Sequence, residues 1–266
     1  MTMPDQDASL APSQQLRVRL FMATHRPWPL VQHPAYTPIG LGGYQPTEPD
    51  ALTDDTGDHI AHLNPRYSEL SGWYWIWKQI RDVDVVGLCH YRRIFLFDPH
   101  HATFPGRVQR LLATPENLAM LAAQNPLPFA LAAHARKGVI VPRALYLGAS
   151  IREQYRICHR EEDWEAFTQA VHDTAFQHAR RFRQMETSLW MLPYNMMVAP
   201  WNFFADYMAT LMEVLNRVDT LVHYPDDSYQ RRIPAFLAER FFTLHVMTVC
   251  PPLLQVSIVI TDPTAF

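Results

Sequence analysis

A block of aromatic residues followed by a short apolar run constrains the fold of this chain more than any other feature. Residues 64–80 carry Trp, Tyr, Leu and Ile at helical spacing on two faces, after Asn64 as a candidate N-cap and Pro65 at the first helical position. Apolar side chains on more than one face predict a helix that is buried inside the fold. Residues 85–89 form a short apolar run typical of a buried strand. The block therefore predicts an interior helix packed beside a central sheet.

Strand and helix patterns alternate along the rest of the chain. Further strands are expected at 16–23, 138–142, 189–198 and 254–260, and helices at 115–124, 150–159, 161–182, 201–218 and 233–249. Residues 34–43 are rich in Pro and Gly and predict an irregular loop. The alternation favours a single α/β domain over 16–266, with a mixed, mostly parallel sheet flanked by helices, after a disordered polar leader over 1–15.

Composition excludes several classes of protein. A formal net charge of −3 gives no electrostatic reason to expect a nucleic-acid partner. The three cysteines are scattered without a pairing pattern, which favours a reducing compartment. We find neither a signal peptide nor an apolar run long enough to span a bilayer, and therefore expect a cytoplasmic protein. Peripheral contact with the inner face of the cytoplasmic membrane stays open.

The sequence His90-Tyr91-Arg92-Arg93 follows the predicted buried strand directly. In an extended backbone, His90 and Arg92 would share one face, and Tyr91 and Arg93 the other. Arginine presents a planar fork of donors that suits phosphate oxygens, so the strand end predicts an anion site. The alternative is a structural arginine that pairs with a carboxylate of the aromatic helix.

Other polar groups have functional and structural interpretations of similar weight. Tyr155, His159 and Asp163 fall along one helical face, where they could bind sugar hydroxyls or form a solvated surface. Asn195 lies among apolar residues, and a buried amide needs partners, which a ligand or a loop can supply. Glu239 lies among arginines and is either an ionised general base or part of a surface salt bridge, and composition alone favours the salt bridge.

Metal binding has weak support in the sequence. His59 and His62 have a spacing that two ligands could use, but no nearby Cys or acid completes a set, and no HExxH pattern occurs. Asp82-Val83-Asp84 is formally an Asp-x-Asp, but its place before the strand favours a turn. The sequence therefore predicts no protein metal ligands.

Two long blocks carry a resemblance to a known family. TGDHIAHLNPRYSELSGWYWIWKQ and VVGLCHYRRIF resemble the defining motifs of a bacterial domain family described as capsular polysaccharide synthesis or uncharacterised. The later residues agree in order, namely Tyr155, His159, Asp163, Tyr194-Asn195-Met196, and Arg232 through Glu239-Arg240. The resemblance runs from Thr24 to about Arg240. Members resemble GT-A glycosyltransferases, including galactofuranosyltransferase domains of O-antigen polymerases.

The resemblance implies a GT-A-like, Rossmann-like fold and a set of site residues. Its catalytic residues would be Glu239, as the base that deprotonates the acceptor, with His90 and Arg92. Donor-binding residues would be Thr24, His25, Tyr36, Asp58, Asn64, Tyr67, Tyr91, Arg93 and Asn195. Acceptor-binding residues would be Tyr155, His159, Asp163 and Arg232.

The implied activity is transfer of a sugar from a nucleotide-sugar donor, a UDP-hexose with UDP-galactofuranose as first trial, to a glycan or lipid-linked glycan in surface polysaccharide assembly. GT-A enzymes place an Asp-x-Asp for Mn or Mg at this strand end, where this chain has His90-x-Arg92. We expect the cationic side chains to supplement or replace the metal. The alternatives are a non-catalytic module that binds nucleotide sugar or glycan and, ranked last, a phosphate-processing hydrolase.

Overall fold

The computed structural model describes residues 16–97 and 108–263. Its strands are β1 (Val18–Thr24), β2 (Tyr36–Gly40), β3 (Leu52–Thr53), β4 (Val85–His90), β5 (Arg93–Phe95), β6 (Val108–Leu112), β7 (Val139–Pro142), β8 (Leu145–Tyr146), β9 (Trp190–Met191), β10 (Met197–Pro200), β11 (Leu253–Val256) and β12 (Ile258–Asp262). Its helices are α1 (Asn64–Tyr67), α2 (Leu70–Gln79), α3 (Pro115–Ala122), α4 (Leu127–Ala135), α5 (Ile151–Cys158), α6 (Glu161–Thr174), α7 (Phe176–Glu186), α8 (Trp201–Asp219) and α9 (Ile233–Val249).

The central sheet is mixed and mostly parallel, as predicted. Its strands lie in the order β11-β7-β10-β4-β1-β2-β3. β1 runs parallel to β2 and to β4, with Ala23 opposite His90, and β10 is antiparallel to both β4 and β7. The carboxyl ends of β1, β2 and β4 therefore meet at one edge of the sheet. Ligands of open α/β sheets bind at this edge.

Helices cover both faces of the sheet. Phe21 and Leu88 point into a large core shared with α2, α6, α8 and α9, whereas Leu20 and Met22 point into a second core with α3 and α4. Successive residues of a strand face opposite sides, so both sides of β1 and β4 must be apolar. This two-sided burial confirms the α/β architecture. None of the described helices is both long and apolar enough to cross a bilayer.

The aromatic helix is buried as predicted, but it is broken. Ser68, at φ 48°, separates α1 from α2, and Asn64 does not cap a helix N-terminus. Instead, the Asn64 amide donates to the carbonyl of Ser68 (2.8 Å) and to the hydroxyl of Ser71 (3.0 Å). The prediction of one helix fails because side-chain hydrogen bonds stabilise the break.

Other boundaries also differ from the predictions. Residues 34–43 contain strand β2, the predicted helix 161–182 is divided at Ala175 into α6 and α7, and 254–260 divides into β11 and β12. The predicted strand 189–198 becomes β9 and β10, separated by a turn in which Tyr194 and Asn195 have φ of 77° and 46°. Helix α4 and strand β6 were not predicted. The predicted leader at 1–15 lies outside the described residues.

Candidate functional site

A cleft opens at the edge where β1 and β4 end. It comprises two cavities of about 390 Å³ and 340 Å³ that share Glu69, His90, Arg93 and Arg232. We call the larger cavity the anion lobe; its other lining residues include His25, Asn64, Ser68, Tyr91 and Arg92. We call the smaller cavity the aromatic lobe; its other lining residues include His159, Tyr194, Asn195, Tyr229, Phe236, Glu239 and Arg240. The cleft thus collects most of the predicted site residues from six separate stretches of the chain.

A tight hairpin, rather than an extended strand, presents the His-Tyr-Arg-Arg sequence. β4 ends at His90, Tyr91 and Arg92 form the turn, and Arg93 begins β5. His90 and Arg93 pair across the hairpin, with Arg93 Nη1 3.3 Å from His90 Nδ1. The predicted pairing of His90 with Arg92 on one face is therefore wrong. The turn reverses the chain and places Arg93 beside His90.

The cleft contains more positive charge than its carboxylates neutralise. Within the described part of the chain, Arg93 makes no ion pair, and its guanidinium lies 5.1 Å from the centre of the Tyr194 ring. Arg232 is likewise held by neutral groups, since its Nε donates to the Ser68 hydroxyl (3.0 Å). Arg92 lies 3.5 Å from a carboxylate oxygen of Asp262 on β12, not from a carboxylate of the aromatic helix. Guanidinium groups held without a carboxylate partner suit an anionic ligand.

His90 contributes a neutral ring to the cleft. Burial, reinforced by the charge of Arg93, lowers its pKa to about 3. At neutral pH the imidazole is therefore uncharged, and the positive charge at the hairpin comes from arginine. A neutral ring can still form hydrogen bonds with a ligand.

The turn between β9 and β10 connects the two carboxylates of the cleft. Glu239 on α9 accepts from the backbone N–H of Tyr194 (2.6 Å) and from Arg240 (3.1 Å). The next residue, Asn195, donates from its amide to Glu69 Oε1 (2.7 Å) and to the carbonyl of Ala235 (3.1 Å). Burial, together with the nearby charge of Glu69, raises the pKa of Glu239 against the opposing effect of Arg240.

Aromatic rings line the second lobe. His159 stacks on Phe236 with ring centroids 4.1 Å apart, and Tyr229 packs beside both. His159 Nδ1 lies 3.2 Å from Gln230 Oε1, and burial lowers its pKa to about 4, so this ring is also neutral. An apolar wall with a few polar groups is typical of a pocket for an uncharged organic ligand.

The structure places several predicted residues outside both lobes. Tyr67 is fully buried and donates to Asp219 (2.9 Å), and Asp58 accepts from Tyr74 on the surface of α2. Thr24 is buried and donates to the carbonyl of Arg26, and Tyr36 is half-buried against the second core. These contacts stabilise the scaffold around the site.

The prediction that Tyr155, His159 and Asp163 lie along one face of a single helix is wrong. α5 ends at Cys158, so Tyr155 and Asp163 belong to different helices. Tyr155 is buried beneath the His159 ring, and the buried Asp163 pairs with Arg160 (3.1 Å). Only His159 of the three lines the cleft.

The described side chains of the cleft do not form a ligand set that fits a divalent metal. Among the described residues no three His, Cys, Asp or Glu side chains come together. Both oxygens of Glu239 already accept hydrogen bonds, and Asp84 accepts from Arg17 at a turn. His59 accepts locally from the N–H of Ala61.

Sequence reasoning missed Glu69. Glu69 directly precedes α2, after the break at Ser68, and lies at the junction of the two lobes. The usable signal was local, because Ser and Asn compete with helical hydrogen bonding through their side chains. Residues 64–71 contain three such side chains, namely Asn64, Ser68 and Ser71.

Comparison with known proteins identifies a family and a fold. A family model described as a domain of unknown function, DUF4422, matches residues 19–249. The chain is similar to the solved apo structure of WbbM, a bifunctional glycosyltransferase, with a TM-score of 0.81 and 19% identity. The match covers 92% of this chain and 45% of that one, so the chain spans less than half of WbbM. No curated protein matches. The likeness confirms the predicted α/β fold, a mixed and mostly parallel sheet flanked by helices, and shows that WbbM shares it.

Proposed function

The chain belongs to the DUF4422 family of unknown function, and we propose that it is a glycosyltransferase that uses a nucleotide-sugar donor. The donor's diphosphate binds in the anion lobe, and the sugar lies at the junction of the lobes. The acceptor, a glycan or lipid-linked glycan, binds in the aromatic lobe. The fold shared with WbbM supports this choice of reaction class.

The observation that carries the proposal is a pair of arginines at the junction, Arg93 and Arg232, that have no carboxylate partner among the described residues. Transfer of a glycosyl group leaves a diphosphate with increased negative charge. Preorganised donors aimed at developing charge supply a large part of enzymatic rate enhancement. Arginine forks hydrogen-bond phosphate oxygens in pairs, so they stabilise the leaving group without a metal.

The aromatic lobe supports a glycan as the acceptor. Rings of His159, Tyr229 and Phe236 offer an apolar wall, while Gln154, Asn195 and the carboxylates offer hydrogen bonds. A sugar has both apolar C–H faces and hydroxyl edges, and this pocket matches both. We place the reaction in the cytoplasm, in capsule or O-antigen assembly, with peripheral contact at the inner membrane where a lipid-linked acceptor would be.

The direct test is a transfer assay with the purified chain. A panel of nucleotide sugars, beginning with UDP-galactofuranose and UDP-hexoses, is incubated with glycan acceptors, and release of nucleoside diphosphate is measured. Each reaction is run with Mn, with Mg and with excess chelator. We expect release that depends on the acceptor and persists in chelator.

Two results would contradict parts of this proposal. Strict dependence on Mn or Mg would contradict replacement of the metal by arginines. Tight binding of donor without any turnover would instead favour a non-catalytic binding module.

A further inference from the structure

Among the described residues, Glu69 is the carboxylate that lines both lobes of the cleft. It lines the anion lobe and the aromatic lobe together with His90, Arg93 and Arg232. Of these four, two are guanidinium groups and one is a neutral imidazole, so Glu69 is the only anionic member. A group transferred between the lobes would pass this carboxylate.

The backbone around Glu69 is built to hold it there. Ser68 adopts φ 48°, which ends α1 and turns the chain into α2. The Ser68 carbonyl accepts from Asn64, and its hydroxyl accepts from Arg232 (3.0 Å). A non-glycine residue at positive φ costs free energy and persists only where its surroundings fix it. The break therefore fixes both the carboxylate and the neighbouring guanidinium.

One oxygen of Glu69 is used for positioning, and the other is available. Oε1 accepts from the Asn195 amide at 2.7 Å, and Asn195 is itself buried in a left-handed turn. Among the described residues, no hydrogen bond or ion pair involves Oε2. Glu239 differs, because one of its oxygens accepts from the Tyr194 N–H and the other from Arg240.

From this geometry we infer that Glu69, not Glu239, is the general base that deprotonates the acceptor. This inference rests on the proposed transferase function. Glu239 then holds the Tyr194–Asn195 turn that positions Glu69.

The reaction is a direct displacement. The acceptor hydroxyl gives its proton to Glu69 Oε2 as its oxygen lone pair forms a bond to the anomeric carbon. The bond from that carbon to the diphosphate oxygen breaks, and its electron pair leaves with the nucleoside diphosphate beside Arg93 and Arg232. Protonated Glu69 then returns its proton to water. A single displacement inverts the anomeric configuration.

The test compares Glu69→Gln with Glu239→Gln. The amide of the first variant keeps an oxygen for Asn195 but cannot accept the proton, so kcat should fall roughly 100-fold or more, the usual contribution of a general base. Nucleoside diphosphate affinity should stay within about threefold, because the arginines are unchanged. Glu239→Gln keeps an acceptor for Tyr194 N–H, and its kcat should fall by less than about tenfold.

Controls separate the possible failures. Glu165→Gln, an exposed change on α6, should match the wild type. Circular dichroism verifies folding, and Glu69→Asp provides a second variant that keeps a carboxylate, with activity between wild type and Glu69→Gln. NMR of the product should show inverted configuration.

The contradicting results are distinct. If the wild type is active, two results would overturn the role of Glu69 but leave the proposed function standing. One is a Glu69→Gln variant that keeps more than a tenth of the wild-type kcat. The other is a wild-type product with retained anomeric configuration. A wild type that releases no nucleoside diphosphate with any donor and acceptor overturns the proposed function, and the role of Glu69 with it.

Discussion

Arg93 and Arg92 are adjacent in sequence but differ in electrostatic environment. Arg92 and Arg110 share the carboxylate of Asp262. The Nη1 atom of Arg110 lies 2.9 Å from an oxygen of this carboxylate. Arg93 lies between a neutral imidazole and the Tyr194 ring. The hairpin turn produces this difference, and it makes Arg93 the stronger candidate for phosphate binding.

We expect Arg93→Ala to weaken nucleoside diphosphate binding more than Arg92→Ala does. Loss of charge-assisted hydrogen bonds costs about 1.5–3 kcal/mol, or roughly 10- to 100-fold in Kd. Calorimetric titration measures both variants beside Arg156→Ala, a surface control on α5. Equal losses in the Arg92 and Arg93 variants would contradict the distinction.

A buried histidine pair predicts sensitivity to acid. His178 Nε2 lies 3.0 Å from His245 Nδ1 between α7 and α9, and burial lowers the pKa of both rings. The unfolded chain protonates His245 below a pKa of about 6.5, whereas burial lowers the pKa of this ring to about 3 in the folded chain, so stability falls as pH decreases from 7 to 5.

The size of this effect can be measured by substitution. For one histidine the loss between pH 7 and pH 5 is about 2 kcal/mol. Between pH 7 and pH 5, the free energy of unfolding of His245→Phe should therefore decrease by about 2 kcal/mol less than that of the wild type. Urea unfolding at the two pH values measures it. Parallel decreases in both proteins would contradict the assignment.

Among the secondary-structure elements, the break between α1 and α2 has the largest consequence for the site. Ser68 combines a positive φ with a hydroxyl that holds Arg232. Ser68→Ala and Ser68→Gly both remove the hydroxyl, but only glycine relieves the backbone strain. Both should weaken nucleoside diphosphate binding, because Arg232 loses its anchor.

The two Ser68 variants should differ in stability. We expect the glycine variant to be more stable than the alanine variant by about 1 kcal/mol, measured by urea unfolding. Wild-type nucleotide affinity in both variants would show that Arg232 does not need this hydrogen bond.

Strand β2 lies in the Pro- and Gly-rich stretch that was predicted to be a loop. Its Pro38 pairs in register with Met22, and the following turn folds so closely that a Cβ on Gly40 would lie 1.8 Å from the Tyr44 carbonyl oxygen. Gly40→Ala should therefore lower the free energy of unfolding by more than about 3 kcal/mol, and the half-buried Thr37→Ala by about 1 kcal/mol. Urea unfolding of the two variants tests this, and equal losses would contradict the close approach.

For the whole molecule, the sequence predicted what depends on periodic burial. The helix α8 and the strand β4 follow from the apolar spacing of residues 201–218 and 85–89, which are buried on the expected faces. The His90–Arg93 sequence was correctly expected at a strand end. Local conformations that side chains impose were not predictable, including the φ of Ser68, Tyr194 and Asn195.

The candidate site depends on those local conformations. Glu69 and Asn195 meet across 126 positions of sequence because two left-handed turns direct them to each other. No spacing rule connects such residues. Thus the sequence indicated the arginine-rich edge of the cleft, whereas the relation between its carboxylates required the fold.

The most direct test of the central claim is calorimetric titration of a nucleoside diphosphate, UDP first, into the wild type and Arg93→Ala/Arg232→Ala, with excess chelator present. The cleft predicts saturable one-to-one binding to the wild type and a Kd raised at least about 100-fold in the double variant, since two charged contacts are lost. Binding that requires added Mn or Mg, or an unchanged Kd in a folded double variant, would contradict an arginine-built diphosphate site.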